Sequence, residues 1–214
     1  MQRKNSNEEI RSFLRCGENL TREWKDERLA GQVWDALSLA DSDAEAGLEK
    51  LTDLADQNSA LSAYYLGDAF LFGRYGIPKN YDKAEQWLRK SASLGSVEGR
   101  FLLAQFLQGS DKPKRAIEHY EILANKKFSP ATYSLAIQYL KGNLLKKDLN
   151  KAKHYFEMAR QQGHLHSWHW LSFLQRTYGE NVICRTKGLI NLVLMSVPFI
   201  YYRVFRPESD RLRT

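Results

Sequence analysis

The feature that most constrains the fold is a twelve-residue segment that occurs three times, beginning at residues 62, 98 and 131. Every copy has Leu at its fifth position, an aromatic residue at its ninth, Leu at its tenth and Gly at its twelfth. These spacings place the fifth, ninth and tenth positions on one face of a helix. Glycine often ends a helix because it tolerates the positive φ of the turn. The segments therefore predict three amphipathic helices that end at Gly73, Gly109 and Gly142.

A second amphipathic segment follows each copy. It begins with a basic residue and an alanine, and apolar residues follow three, four and seven or eight positions after the alanine, which forms an apolar stripe on a helix. The three pairs are Lys83-Ala84, Arg115-Ala116 and Lys151-Ala152. Small alanines in that stripe permit helices to approach closely, and the charged residues of the first stretch, 81–95, are expected to face solvent. A helix–loop–helix unit with a period of roughly 33–36 residues is typical of an α-solenoid.

The loops between the paired helices differ in length but contain similar signals. Pro78 and Pro113 disfavour helix at the residue before them, so they keep the first helix from running into the second. Asp82 and Asp111 are expected to mark the beginnings of the second helices.

The combined pattern resembles the Sel1-like repeat, a relative of the tetratricopeptide repeats. The first copy carries the whole pattern, and the second and third depart from it at Leu103 and Lys127 and at Thr132 and Arg160. The resemblance implies an all-α fold, a right-handed α-solenoid of antiparallel helix pairs. The residues that carry it in the first copy are Ala63, Leu66, Gly67, Gly73, Asp82, Lys83, Ala84, Trp87, Ala92 and Gly95.

The repeat extends beyond the three clear copies. Residues 29–40 and 44–59 resemble the two helices of a degenerate preceding pair, and 164–179 reads as another first helix, with Trp170, Leu171 and Leu174 on its apolar side. We therefore predict four parts. These are an N-terminal helical cap or arm (1–28), a degenerate first helix pair (29–61), a Sel1-like repeat array of three repeats and a partial fourth (62–179), and an apolar C-terminal segment with a basic tail (180–214).

Charge is unevenly distributed along the 214 residues, whose formal net charge is +7. Residues 1–60 are acidic, whereas 61–184 hold 18 Lys and Arg against 10 Asp and Glu. A nucleic-acid module concentrates its basic residues and exposed aromatics on one surface, so we expect no nucleic-acid partner. The first residues contain no apolar run of the kind found in signal peptides, which predicts a cytoplasmic protein without one. Cys16 and Cys184 are too far apart in sequence to indicate a disulfide framework or a metal site.

Catalysis is not expected, because the sequence contains no phosphate-binding loop, nucleophile elbow or paired acid motif. The strongest enzymatic hypothesis is a metal site at His164, His166 and His169 in the stretch HLHSWHW. No carboxylate or cysteine stands beside these histidines to complete a ligand set, so we predict surface and capping roles for them. The sequence therefore predicts no enzyme, no cofactor and no metal.

The resemblance implies that the first helices line a concave groove that binds a protein or peptide. An aromatic and basic groove would suit an acidic or aromatic-containing partner segment. The alternative for each of these positions is a solvated or packing residue of the helix. The alternatives stay open residue by residue. The positions carried over are Tyr64, Asp68 and Phe72 from the first repeat, Arg100 and Gln108 from the second, and Tyr133 and Lys141 from the third.

The last part of the sequence contains 15 consecutive uncharged residues, 188–202, with basic residues on both sides. As a helix this run rises only about 22 Å, against about 30 Å of bilayer hydrocarbon. Three interpretations remain open: a short membrane anchor, an interfacial or re-entrant segment, and a last helix that covers the apolar end of the solenoid. The residues predicted to contact a membrane are Leu189, Ile190, Leu192, Val193, Leu194, Val197, Phe199, Ile200, Tyr201 and Tyr202.

The sequence therefore predicts a non-catalytic interaction scaffold that binds a partner in the groove of a Sel1-like repeat solenoid. Its first alternative is a membrane-anchored accessory factor that uses the apolar tail. A metal-dependent enzyme built on the three histidines is the alternative of another class.

Overall fold

The computed structural model describes residues 18–110, 112–178, 182–206, 209–211 and 213. These residues form eleven α-helices and one 3-10 turn, Arg74–Gly76, and contain no strand. Cys16 and Asp111 lie outside the described residues, as does the side chain of Cys184. The helices are α1 Glu18–Asp26, α2 Ala30–Ala40, α3 Ala44–Asp56, α4 Ala60–Phe72, α5 Tyr81–Ser93, α6 Val97–Gln108, α7 Pro113–Asn125, α8 Ser129–Lys141, α9 Leu149–Gln161, α10 Leu165–Tyr178 and α11 Val182–Phe205.

The predicted all-α class and the predicted repeat helices are confirmed. The three twelve-residue segments end α4, α6 and α8, and the lysine- or arginine-alanine pairs lie in α5, α7 and α9. Helices α2 and α3 lie at the residues predicted for the degenerate pair, and α10 lies at those predicted for the additional first helix. The helices form two compact units, Asn19–His119 and Tyr120–Thr214, the latter joined by Glu18. The four-part division made from the sequence stays a prediction.

Alanines mark the helix contacts, as the sequence predicts. Ala84, Ala116 and Ala152 are completely buried. Gly67 of α4 lies against α5 so closely that a methyl group there would come within 2.6 Å of Leu88. The charged residues of the stretch 81–95 mostly face solvent, but Glu85 is only 9% exposed and forms ion pairs with Arg89 and Lys112. For Glu85 the prediction of a solvent-facing side chain is therefore wrong.

The turns that end the first helices follow the prediction at two of three positions. Gly73 and Gly142 have φ of 71° and 77°. Gly109 has φ of −86°, so the chain leaves α6 without a left-handed turn. The prediction of a positive φ at Gly109 is therefore wrong. Asp82 is not the residue that begins α5. Asn80 caps that helix instead, because its side chain accepts a hydrogen bond from the backbone of Lys83.

A second left-handed position recurs where a second helix passes into the next first helix. Gly95 and Gly163 have φ of 100° and 91°, and Lys127 has φ of 60° at the corresponding place in the intervening repeat. Asn58, after α3, has φ of 67°. A side chain with a Cβ is strained in this conformation, least so for Asn. At Lys127, where the repeat pattern has Gly, the backbone keeps the left-handed turn. The lysine is therefore strained at a position that favours glycine.

Helix α1 packs into the N-terminal unit through Trp24, which is 5% exposed and whose indole N–H donates to the Tyr65 hydroxyl at 2.9 Å. Its neighbour Glu23 accepts hydrogen bonds from the backbone N–H of Val97 and of Glu98 at 2.7 and 3.0 Å. The Ser96 hydroxyl donates to its other oxygen at 2.7 Å. A carboxylate at this place satisfies N–H groups that the first turn of α6 leaves unpaired.

The C-terminal unit has a core built from α8, α9 and α10. Its buried residues are Tyr133, Ala136, Ala152, Phe156, Ala159, Leu171 and Leu174. Trp170 packs against this core, which confirms the predicted apolar side of α10. Helix α11 follows and packs on α10. Gly188 makes this approach possible, because a Cβ at that position would lie 2.8 Å from the Ser172 carbonyl oxygen.

Candidate partner-binding site

An open groove of about 700 Å³ lies in the N-terminal unit where α4 ends, α5 begins and α6 passes. Two of its side chains are aromatic and at least half exposed to solvent, Tyr81 at 56% and Phe72 at 50%. A third ring, that of Phe106, lies 6.1 Å from the ring of Tyr81. We call this surface the aromatic groove, and its lining residues are Leu71, Phe72, Tyr81, Leu102, Gln105, Phe106, Gly109 and Ser110.

Backbone hydrogen bonding brings the two exposed aromatics to one place. The left-handed Gly73 ends α4 directly after Phe72. The Asn80 N–H then returns to donate to the Phe70 carbonyl at 2.9 Å, so the first residue of α5, Tyr81, begins beside the last turn of α4. Because these contacts are local, the proximity of Phe72 and Tyr81 is a direct consequence of how one repeat closes its own loop, and the first helix of the next repeat supplies the rest of the groove.

Positive charge borders the aromatic groove. The Arg74 guanidinium lies 5.5 Å over the ring of Phe72 and is paired with the Asp68 carboxylate. The hydrogen bond that Arg74 donates to the Asp68 carboxylate raises the pKa of Arg74 above its ordinary value, so the group stays cationic. Lys83 lies with its ammonium 5.1 Å over the ring of Phe70, in the same repeat. An apolar groove with a cationic border suits a ligand segment that combines aromatic or aliphatic side chains with acidic ones.

The structure separates the seven predicted groove residues by exposure. Phe72, Gln108 and Lys141 are exposed, and Tyr64 and Arg100 are half-buried. Only Phe72 lines the aromatic groove. The two remaining residues, Asp68 and Tyr133, are 7% and 8% exposed. For these two the prediction of an exposed position is wrong.

The buried and half-buried members hold the fold together. Asp68 pairs with Arg74, and Arg100 donates to the Ala92 carbonyl at 2.7 Å. The Tyr133 hydroxyl accepts from the Trp170 indole N–H at 3.1 Å, and its ring stacks on His164 at 4.4 Å between centroids. Burial raises the pKa of the Tyr133 phenol. A binding role for these residues stays a prediction.

Sequence reasoning missed Tyr81 and Phe106 as groove residues. Phe106 stands at the ninth position of its segment, which the periodicity assigns to the packed face of a helix. Tyr81 precedes the apolar stripe of α5 and directly follows the residue that caps that helix. The position of Tyr81, an aromatic residue in the first turn of a helix and outside its apolar stripe, is the sequence signal that indicates an exposed ring.

The three histidines do not form a metal site. His164 is completely buried, and its Nε2 donates to the Arg213 carbonyl at 2.6 Å, which leaves Nδ1 to accept from the Ser167 hydroxyl at 3.1 Å. Both ring nitrogens are therefore engaged. Burial lowers the pKa of His164 to about 4. Within the part of the chain that the structure describes, no group of three or more His, Cys, Asp or Glu side chains is placed to hold a metal ion.

A second exposed surface lies on α11. Of the described helices, one stretch, Thr186–Phe205, is long and apolar enough to cross a membrane by length and composition alone, and only 6% of it is buried. The helix that contains it has 24 residues, with Pro198 inside it, so it is longer than the 15-residue run that the sequence indicates. It packs on α10 as a second helix would, and most of its surface has no neighbour among the residues that the structure describes.

These helices define the class of the protein: it is an α-solenoid protein, built from consecutive antiparallel helix pairs. A family model described as the Sel1 repeat matches residues 60–96, 98–128 and 129–164. The chain therefore contains three Sel1 repeats within residues 60–164, as the residue pattern of the first copy predicts.

Two curated relatives are identical to the chain at just over a quarter of the aligned residues. One is the ERAD-associated E3 ubiquitin-protein ligase component HRD3B of Arabidopsis thaliana, 27% identical over 122 residues, which cover 55% of this chain and 19% of that protein. The other is cytochrome c oxidase assembly factor 7A of Xenopus laevis, 28% identical over 134 residues, which cover 58% of this chain and 57% of that protein. The match thus spans less than two thirds of either relative.

Two solved structures share the fold. A Sel1 repeat protein from Oxalobacter formigenes superimposes with a TM-score of 0.60 at 21% identity, over 72% of this chain and 65% of that one. The protective antigen c5321 of uropathogenic Escherichia coli, which displays an SLR fold, gives a TM-score of 0.54 at 23% identity, over 76% and 42% of the two chains. At these identities the likeness shows the fold alone, and it agrees with the predicted all-α solenoid class.

Proposed function

We propose that this protein is a non-catalytic scaffold that holds a partner protein through the aromatic groove. The observation that carries the proposal is the pair of exposed aromatic side chains, Phe72 and Tyr81, in a groove of about 700 Å³. Large apolar side chains that face solvent together, with polar residues around them, are typical of protein-interaction sites. The three Sel1 repeats support the same conclusion, because Sel1 repeat proteins bind other proteins.

The names of the two relatives support a scaffold as well. One is a component of a ubiquitin ligase and the other is an assembly factor, and both roles depend on contact with other proteins. We extend only that shared feature, protein contact, to this chain. Catalysis plays no part in the proposal.

From the side chains of the groove we infer the kind of partner segment that binds there. Phe72, Tyr81 and Phe106 offer ring faces and edges, and aromatic pairs gain about 0.5–1.5 kcal/mol beyond their buried area. Arg74, whose guanidinium lies over the ring of Phe72, stands at the border of the groove. A partner segment with one or two aromatic or aliphatic anchors followed by acidic residues would use both features. Affinity would come mainly from the anchors, and the charges would steer the encounter.

The test is partner capture by two matched double variants. Phe72→Ser with Tyr81→Ser removes the exposed aromatics of the groove. Ile122→Ser with Tyr178→Ser removes two apolar side chains of 40% and 56% exposure elsewhere on the chain. Tagged wild type and both variants are expressed in the native cell, and the captured proteins are compared by quantitative mass spectrometry. We expect a set of partners that the groove variant loses and the control variant keeps. Equal capture by the groove variant and the wild type, with both folded by circular dichroism, contradicts the proposal.

A further inference from the structure

Helix α11 presents a continuous apolar surface to solvent. Nine of its large apolar side chains are more than half exposed. They recur at spacings of three, four and seven residues, so they lie along one side of the helix. The nine are Leu189, Ile190, Val193, Leu194, Val197, Ile200, Tyr201, Val204 and Phe205. We call this surface the outer face of α11. Of the ten residues predicted to contact a membrane, seven belong to it, and Leu192, Phe199 and Tyr202 are half-buried.

The opposite side of the helix is already occupied. Gly188 lies against the backbone of α10, and three positions later Asn191 donates to the Gln175 side-chain oxygen at 3.3 Å. The Phe199 ring meets His166 edge-on at 5.2 Å. Near the end of the helix Tyr202 lies 5.0 Å beneath the guanidinium of Arg211. These contacts run along the length of α11, so α10 fixes which side faces outward.

Charge at the two ends of the outer face has one sign. Lys187 is exposed before it, and Arg203 and Arg206 are exposed at and beyond its end. The sequence from 182 to 206 contains no Asp or Glu. Tyr201 adds an amphipathic ring beside Arg203, which is the composition found where proteins meet lipid headgroups. Apolar side chains between cationic ends match the chemistry of an anionic membrane surface.

We propose that the outer face of α11 binds the surface of an anionic lipid bilayer, with the helix lying in the plane of the membrane. The nine apolar side chains enter the boundary between headgroups and acyl chains, and the three basic residues contact anionic headgroups. An interfacial helix needs a polar side that stays out of the lipid. The sequence of α11 is apolar nearly all round, but α10 covers one side of the helix. The packing of α10 therefore takes the place of the polar side.

The length of the helix also permits a membrane-spanning position, since 20 residues rise about 30 Å. The contacts with α10 argue against it. If α11 spanned the membrane in its observed packing, α10 would enter the hydrocarbon with Gln175, Arg176 and His166, and polar and charged groups are unfavourable there. Spanning therefore requires α11 to leave α10. The in-plane position keeps every contact between the two helices.

The first experiment measures binding of the purified full-length chain to vesicles by flotation. Vesicles of neutral phosphatidylcholine are compared with vesicles that contain one third phosphatidylglycerol, at low and high salt. We expect binding to the anionic vesicles, reduced about tenfold or more by neutral lipid or by high salt. No binding to either vesicle overturns the proposal.

Two matched variants assign the binding to the outer face. Val193→Glu with Val197→Glu places two negative charges in its centre, whereas Asn125→Glu with Gln161→Glu adds the same charge at exposed positions on other helices of the same unit. The first variant should lose binding at least about tenfold while its circular dichroism spectrum and melting temperature stay those of the wild type. The second should bind anionic vesicles within about twofold of the wild type. Equal loss in both, which indicates general charge, overturns the assignment.

The last measurement separates the in-plane position from its rivals. Single cysteines at Ile190, Val197 and Val204, with Cys16 and Cys184 replaced by Ser, carry a fluorophore, and lipids with quenchers at known depths report how deep each position lies. Equal shallow depths support the in-plane helix. A profile with Val197 deepest shows a spanning helix and overturns it. Light scattering of the wild type without lipid should give a monomer. A dimer that becomes monomeric in Val193→Glu with Val197→Glu would assign the outer face to a second copy of the chain and overturn the proposal.

Discussion

The ammonium of Lys83 lies 5.1 Å over the ring of Phe70, and the ammonium of Lys151 lies 5.2 Å over the ring of Tyr139 two repeats later. In both repeats the lysine precedes the buried alanine of the second helix, and the ring stands at the ninth position of the first helix. The basic residue of each lysine-alanine pair thus covers an aromatic ring while the alanine makes the helix contact. The two halves of the repeat pattern are physically linked by this arrangement.

The left-handed turn at Lys127 predicts a stabilising substitution. Lys127→Gly should raise the free energy of unfolding by about 1 kcal/mol, because glycine has no Cβ to strain at φ of 60°. Gly95→Ala is the matched control. No atom lies within 4 Å of the added Cβ there, so strain at φ of 100° alone should destabilise the protein by about 1 kcal/mol. Urea unfolding measures both changes, and a destabilised Lys127→Gly contradicts the prediction.

Two glycines inside helices should respond in opposite ways to the same substitution. A Cβ on Gly47 in α3 would overlap the backbone of Ala40, whereas a Cβ on Gly31 in α2 meets nothing within 4 Å. Gly47→Ala should therefore destabilise the protein by about 2 kcal/mol through forced movement of α2. Gly31→Ala should be neutral or stabilise it by up to about 1 kcal/mol, because alanine favours helix. Thermal unfolding of both variants is the measurement, and equal effects would show that contact with Ala40 is unimportant.

The carboxylate of Glu23, which belongs to α1, should stabilise the start of α6. Glu23→Ala removes the acceptor of two backbone hydrogen bonds and one hydroxyl hydrogen bond at the start of α6, and we expect a loss of about 2 kcal/mol. Glu49→Ala, at an exposed position of α3, should change stability by less than about 0.5 kcal/mol. Chemical denaturation compares the two, and a Glu23 effect no larger than the Glu49 effect argues against the capping role.

Acidification should weaken the fold through His164. Its pKa is about 4 in the folded protein because of burial, whereas an unfolded histidine has a pKa of about 6.5. Between these values the unfolded chain binds a proton that the folded chain does not, so stability is intact at pH 7 and falls as the pH drops from about 6.5 toward 4. The expected loss from pH 7 to pH 5 is about 2 kcal/mol.

The variant His164→Gln keeps a donor and an acceptor but cannot titrate. Its stability should fall much less than that of the wild type between pH 7 and pH 5. His119, whose pKa burial and Arg100 also lower, leaves a smaller slope in the same direction. An unchanged slope in His164→Gln would mean that His164 is not the group that titrates.

The repeat fold follows from local sequence, because each helix pair is specified by residues within about 36 positions of one another. Leu66, Ala84 and Gly73 were therefore assigned correctly. The exposure of Tyr133 was not, because its neighbour Trp170 is 37 residues away and no local period reports that contact. Asp68 was misjudged for a different reason. Its partner Arg74 follows the end of α4, where the helical pattern no longer applies.

The concave groove expected from the sequence stays a prediction, and one of its seven residues lines the aromatic groove. Phe72 was identified, since it is an aromatic side chain at an outward position of a first helix. Tyr81 was not, because its proximity to Phe72 depends on the loop that Gly73 and Asn80 close. Phe106 was not, because its contact with Tyr81 joins α6 of the next repeat to α5. The length of α11 was also underestimated, since charged residues at both ends of the apolar run continue the helix.

The most direct test of the scaffold account is site-specific photo-crosslinking in the native cell. A photoreactive phenylalanine analogue replaces Phe72 in the aromatic groove in one strain and Tyr178, an equally exposed aromatic residue, in another. The account predicts a discrete crosslinked product of higher mass from position 72, absent from position 178 and reduced by Tyr81→Ser. No product from position 72, or the same products from both positions, would contradict the claim that this groove binds a partner protein.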